Sequence, residues 1–543
     1  MDSTEFKRLI NALPALPPSP FHQFFDTNYT PSDLEISEIR FLVQNVKTQL
    51  ALLDNYREQL SHYIDKHAAL ASPIRRIPDD ILREIFIASL PRTPTFSSTE
   101  PPHTLGWVCR RWREVALSTQ RLWSTVYVSM PCESNPAADR LARLRCSALQ
   151  TWIERSNPIP IRLWLVDYPS GIAQTFLQPF THRIGELRQE LYEPNHSTFL
   201  LQLGRFQNLR SVSVVNEAEE EDVAVLCDPE LLVRAPNLEA ISCRGMASSP
   251  FQYALNWSRM TTFRWTTHNR HAFLSNEQVL RLLESMPSLR VCRIGQFNAP
   301  RPRNEDAQVQ RVIALPQLQV LCLYQSEGGP MTVSLLCHVD APLLHRLSFS
   351  FVPPISLRST PIKAQLLRRV EVLIESYTSK EIIDLISSMD SLEDLILKYR
   401  PFPIRSPPGN MSDDEWTENY GFNDGVLKAL TPTNDDPNST LACPRLHSLE
   451  IDDFMVDRPL LTTEAFMAFI IERSRHPKAQ TCLARIQLRS PGYVPGLRAA
   501  LQTWMQAGNN PVKLVFSGRE NEEIEERPRY PQDPPNTEVF DDW

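Results

Sequence analysis

Apolar positions along this chain follow two different periods, and the change from one to the other divides it. From Ser32 or Asp33 to about Leu70 they recur at three- and four-residue offsets. Ile39, Leu42, Val46, Leu50, Leu53, Tyr56, Leu60, Tyr63 and Ile64 form a broad stripe, which predicts one long amphipathic helix starting after Pro31. Positions 39, 46, 53 and 60 are aliphatic, whereas the alternating set 42, 49, 56 and 63 includes Gln49 and two tyrosines. Packing of this helix on its own chain is therefore favoured over a dimeric coiled coil. Pro73 marks the next boundary. A second helix is predicted from Pro78, with Asp79 and Asp80 opposing the positive end of its dipole and Pro91 stopping it. Ile81, Leu82, Ile85 and Phe86 lie on one face of it, with Arg83 and Glu84 between them. After a Pro/Ser/Thr segment, Leu105, Val108, Cys109, Trp112 and Ala116 share another helical face; Arg110, Arg111, Arg113 and Glu114 take the other. Leu122 and Trp123 close this stretch.

Beyond Val128 the pattern changes to short strands. A motif of the form apolar-x-x-apolar-x-apolar recurs, often preceded by Pro or Asn, as in Leu209-Val212-Val214, Leu238-Ile241-Cys243, Met260-Phe263-Trp265 and Leu289-Cys292-Ile294. It continues at Leu318, Leu344, Leu367, Leu392, Leu446 and Leu483, and successive starts are 29, 22, 29, 29, 26, 23, 25, 54 and 37 residues apart. Earlier strands at Val126-Val128 and Ile161-Leu163-Leu165 are candidates to begin the same stack. Alternate residues of a strand face opposite ways, so the apolar pair packs inward and the residue between them faces outward. Ser275 with Gln278, and Thr378 with Glu381, have capping-box spacing ahead of apolar helical runs. Most of the intervals suit leucine-rich repeats, which this array resembles at the irregular end of the family, since the Asn or Cys usual after the last apolar position is replaced by Glu217, Met246, His268, Phe297 and Ser326.

The stretch from Ser72 to Val128 carries more large apolar side chains than ~60 residues can hide, because a unit that small buries only ~60% of its chain surface. Either the rest of the chain covers the surplus or a partner does. Ile77-Pro78, Asp79-Asp80, Ile81-Leu82-Arg83-Glu84-Ile85-Phe86, Val108-Cys109-Arg110-Arg111-Trp112-Arg113-Glu114-Val115-Ala116 and Leu122-Trp123 together resemble the F-box. Two departures stand out: Ile77 replaces the usual Leu, and residues 91–103 lengthen the gap between helices. The resemblance implies docking on the small helical adaptor subunit of a cullin-RING ubiquitin ligase. It carries over Pro78, Ile81, Leu82, Ile85, Phe86, Leu90, Val108, Cys109, Trp112, Leu122 and Trp123 as contact or supporting residues. The expected fold is thus mixed α and α/β: N-terminal helices and a three-helix F-box-like unit, followed by an irregular leucine-rich-repeat solenoid.

Composition narrows the function. The 543 residues are 42% hydrophobic and 22% charged, as in an ordinary folded protein. No apolar run approaches the ~18 residues of a membrane span, and no basic-then-apolar leader begins the chain, so a cytoplasmic or nuclear protein is expected. Of the net charge of -8, the segment 520–543 holds nine acidic and two basic residues, and no basic stripe suggests nucleic acid. Ten cysteines without a C-x-x-C pair are expected to be buried, reduced thiols. Only 15 glycines occur and no phosphate-cradling loop, zinc-protease helix or nucleophile elbow is found. The nearest thiol-imidazole neighbours, Cys337-His338 and Cys443 with His447, are expected to be packing residues. No catalytic residue, metal site or cofactor is assigned.

The expected organisation is a Pro/Phe-rich arm over 1–31, a helix over 32–71, the F-box-like unit over 72–128, the repeat array over 129–517 with an insertion at 400–443, and an acidic disordered tail over 518–543. The acidic run Glu217 to Asp222 is a solvated loop in this scheme. The insertion, which holds Trp416, Tyr420 and Phe422, is either a plain loop or a binding segment. Functionally, the chain is expected to be a non-catalytic substrate-recognition subunit of a Skp-cullin-F-box type ligase whose repeats hold an unidentified target protein. The alternative is a repeat scaffold for protein interactions that never enters a ligase, its F-box-like helices capping the array.

Overall fold

The computed structural model describes residues 18–129, 136–166, 176–191, 204–216, 234–245, 249–252, 255–267, 273–296, 311–325, 333–350, 357–374, 377–398, 421–432, 441–452, 461–475, 485–489 and 513–517, with 483, 500 and 503. Most of the expected arm, the acidic run Glu217 to Asp222, Trp416 and Tyr420, and the tail lie outside them. The chain divides into two compact units, Met1–Leu82 and Arg83–Trp543.

The first unit is dominated by one helix, Asp33–Ala71 (α1), of 39 residues. Ser32 caps it with a full capping box: its hydroxyl accepts from the Glu35 amide, and the Glu35 carboxylate accepts from the Ser32 amide at 2.7 Å. The same carboxylate accepts from the Tyr29 phenol, whose ring stacks on Phe24 at 4.0 Å. Helical periodicity is therefore realised as expected. No residue of α1 is buried, Phe41 being 70% exposed and Leu53 48%.

The second unit is built on one parallel sheet of 14 strands. They are Thr125–Ser129 (β1), Ile161–Val166 (β2), Ile184–Leu191 (β3), Ser211–Asn216 (β4), Ala240–Arg244 (β5), Thr262–Thr267 (β6) and Val291–Gln296 (β7). After a two-residue strand Ile313–Ala314 (β8) come Val320–Gln325 (β9), a second such strand Val339–Asp340 (β10), and Arg346–Phe349 (β11). Arg369–Leu373 (β12), Asp394–Lys398 (β13), Ser448–Asp452 (β14), Arg485–Arg489 (β15) and Lys513–Ser517 (β16) complete the set. Strand order follows chain order, with β8 and β10 paired separately.

The recurring motif marks where strands form. Its two later apolar residues sit in the strand and are buried, as with Phe263 and Trp265 or Cys292 and Ile294. The first apolar residue ends a tight turn ahead of the strand: the Leu289 amide donates to the Met286 carbonyl at 3.1 Å, and Leu318 to Leu315 and Leu392 to Met389 do likewise. The next two amides then share one carbonyl of the preceding rung, as Arg290 and Val291 both donate to Thr261. Asparagines ahead of the motif join rungs too, Asn208 donating to the His182 carbonyl and Asn237 to that of Gln207. Gly245, at φ +72°, lies against the Asn216 carbonyl, where a Cβ would meet the oxygen at 1.9 Å.

The expected fold class needs correction. The chain adopts an α/β-type arrangement, a continuous parallel sheet with few helices, and not a three-helix F-box-like unit followed by a leucine-rich-repeat solenoid. Two physical reasons account for the difference. Between strands, the described connections are mainly turns and short 3-10 segments, such as Trp257–Arg259, Val333–His338 and Ala364–Leu366, so among the described residues a helix does not accompany each strand. The helices among the described residues after α1 are Asp79–Ala88 (α2), Leu105–Val108 (α3), Arg110–Ser118 (α4), Pro136–Arg155 (α5), Asn276–Glu284 (α6), Ser379–Ile386 (α7), Asp424–Leu430 (α8) and Thr463–Arg475 (α9). The apolar residues at the end of the 72–128 segment, moreover, join the sheet through β1 and do not close a separate helical core.

Candidate partner-docking site

The segment 72–128 supplies a helix at Asp79–Ala88 (α2), a single turn at Leu105–Val108 (α3), a helix at Arg110–Ser118 (α4), a 3-10 turn at Gln120–Trp123, and β1. The division between the two compact units falls inside α2. This helix starts as the sequence predicts: Asp79 and Asp80 occupy its first turn, and the Leu82 amide donates to the Pro78 carbonyl at 2.9 Å. Its apolar residues separate into two groups. Leu82 and Phe86 are fully buried, whereas Ile81 and Ile85, one turn apart, are 51% and 43% exposed. The Phe86 ring packs on Trp112 of α4 with centroids 4.8 Å apart.

Cys109 caps α4, its sulfur accepting from the Trp112 amide at 3.5 Å, and both Cys109 and Val108 stand in solvent. The single turn α3 thus carries Trp107 at 64% and Val108 at 61% exposure beside a buried Leu105. Leu117 on α4 is also exposed, while Val115 and Ala116 face inward. Trp107 and Leu117 were not singled out from sequence; adjacency to Val108 was the available signal for Trp107, but helical periodicity alone does not say which face lacks a partner.

Leu122 and Trp123 are buried and belong to the support of the site. The Trp123 indole donates to the Ala116 carbonyl at 3.0 Å and meets Trp152 of helix Pro136–Arg155 (α5) edge-on at 5.0 Å. The Arg155 guanidinium lies 4.5 Å over the Trp123 ring. His103 packs against both tryptophans, and burial, together with the Arg155 charge, holds its imidazole pKa below the ordinary value. The lengthened gap at 91–103 is therefore structural: it brings His103 to this cluster, seats Phe96 on Trp152, and gives β1 an edge partner through the Tyr127 amide to the Pro94 carbonyl at 2.8 Å.

Among the predicted contact residues, Pro78, Ile81, Ile85, Val108 and Cys109 are exposed, Leu90 and Trp112 are half-buried, and Leu82, Phe86, Leu122 and Trp123 are buried. The basic residues Arg110 and Arg121 find local carboxylates, Glu114 at 3.0 Å and Glu84 at 3.7 Å. Both are surface pairs that contribute little to stability.

The sheet bears a second polar constellation on the face opposite the apolar pairs. Glu371 on β12 is 5% exposed, and its carboxylate takes Lys398 of β13 at 2.7 Å, the Tyr324 phenol at 3.0 Å and the Ser348 hydroxyl at 3.3 Å. Burial first and then the Glu371 charge push the Tyr324 phenol up. Every donor here is spoken for, so the group pins strands and offers no acid-base pair. A buried Arg473 likewise donates to the carbonyls of Leu430, Ala442 and Cys443 at 2.8, 2.6 and 2.7 Å. The Cys443 thiol donates to the Ile386 carbonyl at 3.2 Å and is pushed up to about 12 by burial, which makes a poor nucleophile. Cys146, Cys243, Cys292, Cys322 and Cys443 are all buried.

Among the described residues no group of three or more His, Cys, Asp or Glu side chains is placed to hold a metal ion, and no helix is long and apolar enough to cross a membrane. No protein-family model matches the chain, and no curated protein matches it.

Proposed function

We propose that this chain is a substrate-recognition subunit of a Skp-cullin-F-box type ubiquitin ligase, docking through residues of its 72–128 segment on the small helical adaptor and receiving a target protein on its sheet. The observation that carries this is the exposure of Ile85, Trp107, Val108 and Leu117 around a well-filled interior of Phe86, Leu105, Val115, Ala116, Leu122 and Trp123. Large apolar side chains held in water by a rigid support match the anchor-and-pocket pattern of protein interfaces. The F-box resemblance of the same residues supplies the class of partner. The contribution to catalysis is proximity: the target is held near a ubiquitin-charged enzyme and no bond is made or broken by this chain.

The exposure pattern also selects the variants that test it. Leu82→Ala empties a fully buried site and costs ~2–5 kcal/mol of folding stability, so a loss of binding there would be secondary. Ile85→Asp with Val108→Asp changes exposed positions only. Adaptor recovered with the purified double variant is expected to fall by the equivalent of ~2 kcal/mol or more, with an unchanged melting curve. Equal recovery from a folded double variant would remove these residues from the interface.

One observation favours the scaffold alternative, in which the segment only caps the sheet. The Pro94 carbonyl already satisfies the free edge of β1 at Tyr127, as a cap would. That role predicts no stable adaptor complex with the native chain.

A further inference from the structure

Helix α1 carries a heptad repeat along nearly its whole length. Positions 36, 43, 50, 57, 64 and 71 alternate with 39, 46, 53, 60 and 67 at spacings of three and four residues, and all but Arg57 and His67 are aliphatic. Pairing 39, 46, 53 and 60 with 42, 49, 56 and 63 breaks the pattern at Gln49; pairing them with 36, 43, 50, 57 and 64 does not. The helix runs 39 residues without interruption, and Val43, Val46, Leu50, Leu53, Leu60 and Ile64 of this seam are exposed. A straight helix drifts by about 20° per heptad from a 3.5-residue spacing. A seam that keeps this spacing through five heptads therefore fits a helix supercoiled around it better than a flat surface.

The seam also selects its partner. With 36, 43, 50, 57 and 64 as the a positions and 39, 46, 53, 60 and 67 as d, Arg57 is the one charged residue at a. In a two-stranded coil its long side chain reaches water past the core, and Asp54 of the same helix lies 3.5 Å from its guanidinium. Three or four such cations in one closed layer would repel, so Arg57 limits the assembly to two strands, and it opposes a shift by one heptad, which would set it against an apolar layer. At the C-terminal end His67 stacks on Tyr63 at 4.0 Å, its ring nitrogen bonded to the Tyr63 carbonyl at 2.8 Å. Two identical helices aligned in parallel and in register set Glu35 at g opposite Arg40 at e of the second copy, twice by symmetry, and bring no like charges together at facing e and g positions. A 39-residue helix is about 58 Å long and about 10 Å across, so a full-length seam is of the same order as the ~800 Å² per partner of a stable interface.

We propose that two copies of this chain pair through α1 as a parallel, in-register coiled coil. The pairing uses none of the residues assigned to adaptor docking and goes beyond that reading. It also separates the exposed apolar residues of α1 into two kinds: Leu50 and Ile64 lie on the seam, whereas Phe41, at an f position, lies opposite it.

The test is sedimentation of the full chain over a micromolar concentration series. The native chain is expected at twice the mass of one chain. Leu50→Lys with Ile64→Lys is expected to weaken self-association roughly a hundredfold or more, while Phe41→Lys, an equal change off the seam, leaves it intact. The melting temperature of the sheet is expected to be the same in all three proteins. Orientation is read by mild oxidation: Leu60→Cys at d should form an interchain disulfide with its counterpart, and Glu58→Cys at b should not. A chain that stays monomeric at every concentration overturns the proposal, as does a trimer or an equal loss from Phe41→Lys. A fall in sheet melting in the double variant would show the seam covered by its own chain and overturn it as well. Cross-linking through Glu58→Cys and not Leu60→Cys would overturn the parallel register.

Discussion

Helix α1 and the parallel sheet use much the same apolar side chains to opposite ends. Along α1 twelve large apolar residues, among them Leu34, Phe41, Leu50, Tyr63 and Leu70, are exposed and none is buried. In the sheet, the inward pairs of β6, β7, β9 and β11 are 0 or 1% exposed. The difference follows from where each element finds its hydrogen bonds. A helix satisfies its backbone internally and can persist as an element with its stripe unmatched. A strand has no internal partner, so it exists only once its neighbours are in place, and its apolar side chains are covered in the same event.

Capped helices make the same comparison on a smaller scale. Ser32–Glu35, Ser275–Gln278 and Thr378–Glu381 form identical capping boxes, yet only the latter two open helices with buried faces, Val279, Leu282 and Leu283 in α6 and Ile382, Leu385 and Ile386 in α7. The cap specifies where a helix begins. It carries no information on whether the helix has a partner.

The sharpest way to break this contrast is a pair of truncations. Phe263→Ala, at a fully buried position of β6, is expected to cost ~3–5 kcal/mol, while Phe41→Ala in α1 stays within ~0.5 kcal/mol; denaturant midpoints measure both. A large loss from Phe41→Ala would show that this side of α1 is packed in the native state. The caps give the next largest effect. Ser275→Ala should lower the sheet unit's stability by ~1 kcal/mol, whereas Ser32→Ala should reduce helicity by circular dichroism and leave the main unfolding transition in place.

A smaller effect concerns pH at the tryptophan cluster. Since His103 is held below its ordinary 6.5, the unfolded chain takes up the proton first on acidification. Its contribution to stability is therefore complete above pH 6.5 and is lost as pH falls through the folded value. His103→Phe should flatten the dependence of the melting temperature between pH 7 and pH 5, readable by thermal scans of the two proteins; an unchanged slope would place the titration elsewhere.

Much of the sheet was legible. Each of the ten motif positions from Leu209 to Leu483 precedes an observed strand, and the earlier candidates became β1 and β2. Strand β3, Ile184–Leu191, was missed because its sequence IGELRQEL alternates polar and apolar residues without the leading apolar position. The fold class was misjudged for a related reason: regular intervals suggested a helix per unit, but interval length does not distinguish a helix from an extended connection with a 3-10 turn. Within the 72–128 segment, helix positions and the N-terminal acidic turn were readable, and the assignment of Ile81 and Ile85 against Leu82 and Phe86 was not. All four lie within one apolar arc, and the neighbours that cover part of it come from distant sequence, as Trp112 does for Phe86.

By itself, then, the sequence determined what depends on residues a few positions apart: the turns of α1, α6 and α7 with their caps, the alternation that puts Phe263 and Trp265 on one face, and the tight turns ahead of the strands. Only the tertiary structure decided what depends on register between rungs. Arg293 faces Arg264 and not a carboxylate, Glu371 reaches Lys398, Tyr324 and Ser348, and Trp123 meets Trp152, because parallel pairing brings together residues whose separation in the chain is set by loops of variable length. Local propensity fixes the period of each element, and the free energy of burying one face fixes which elements become neighbours.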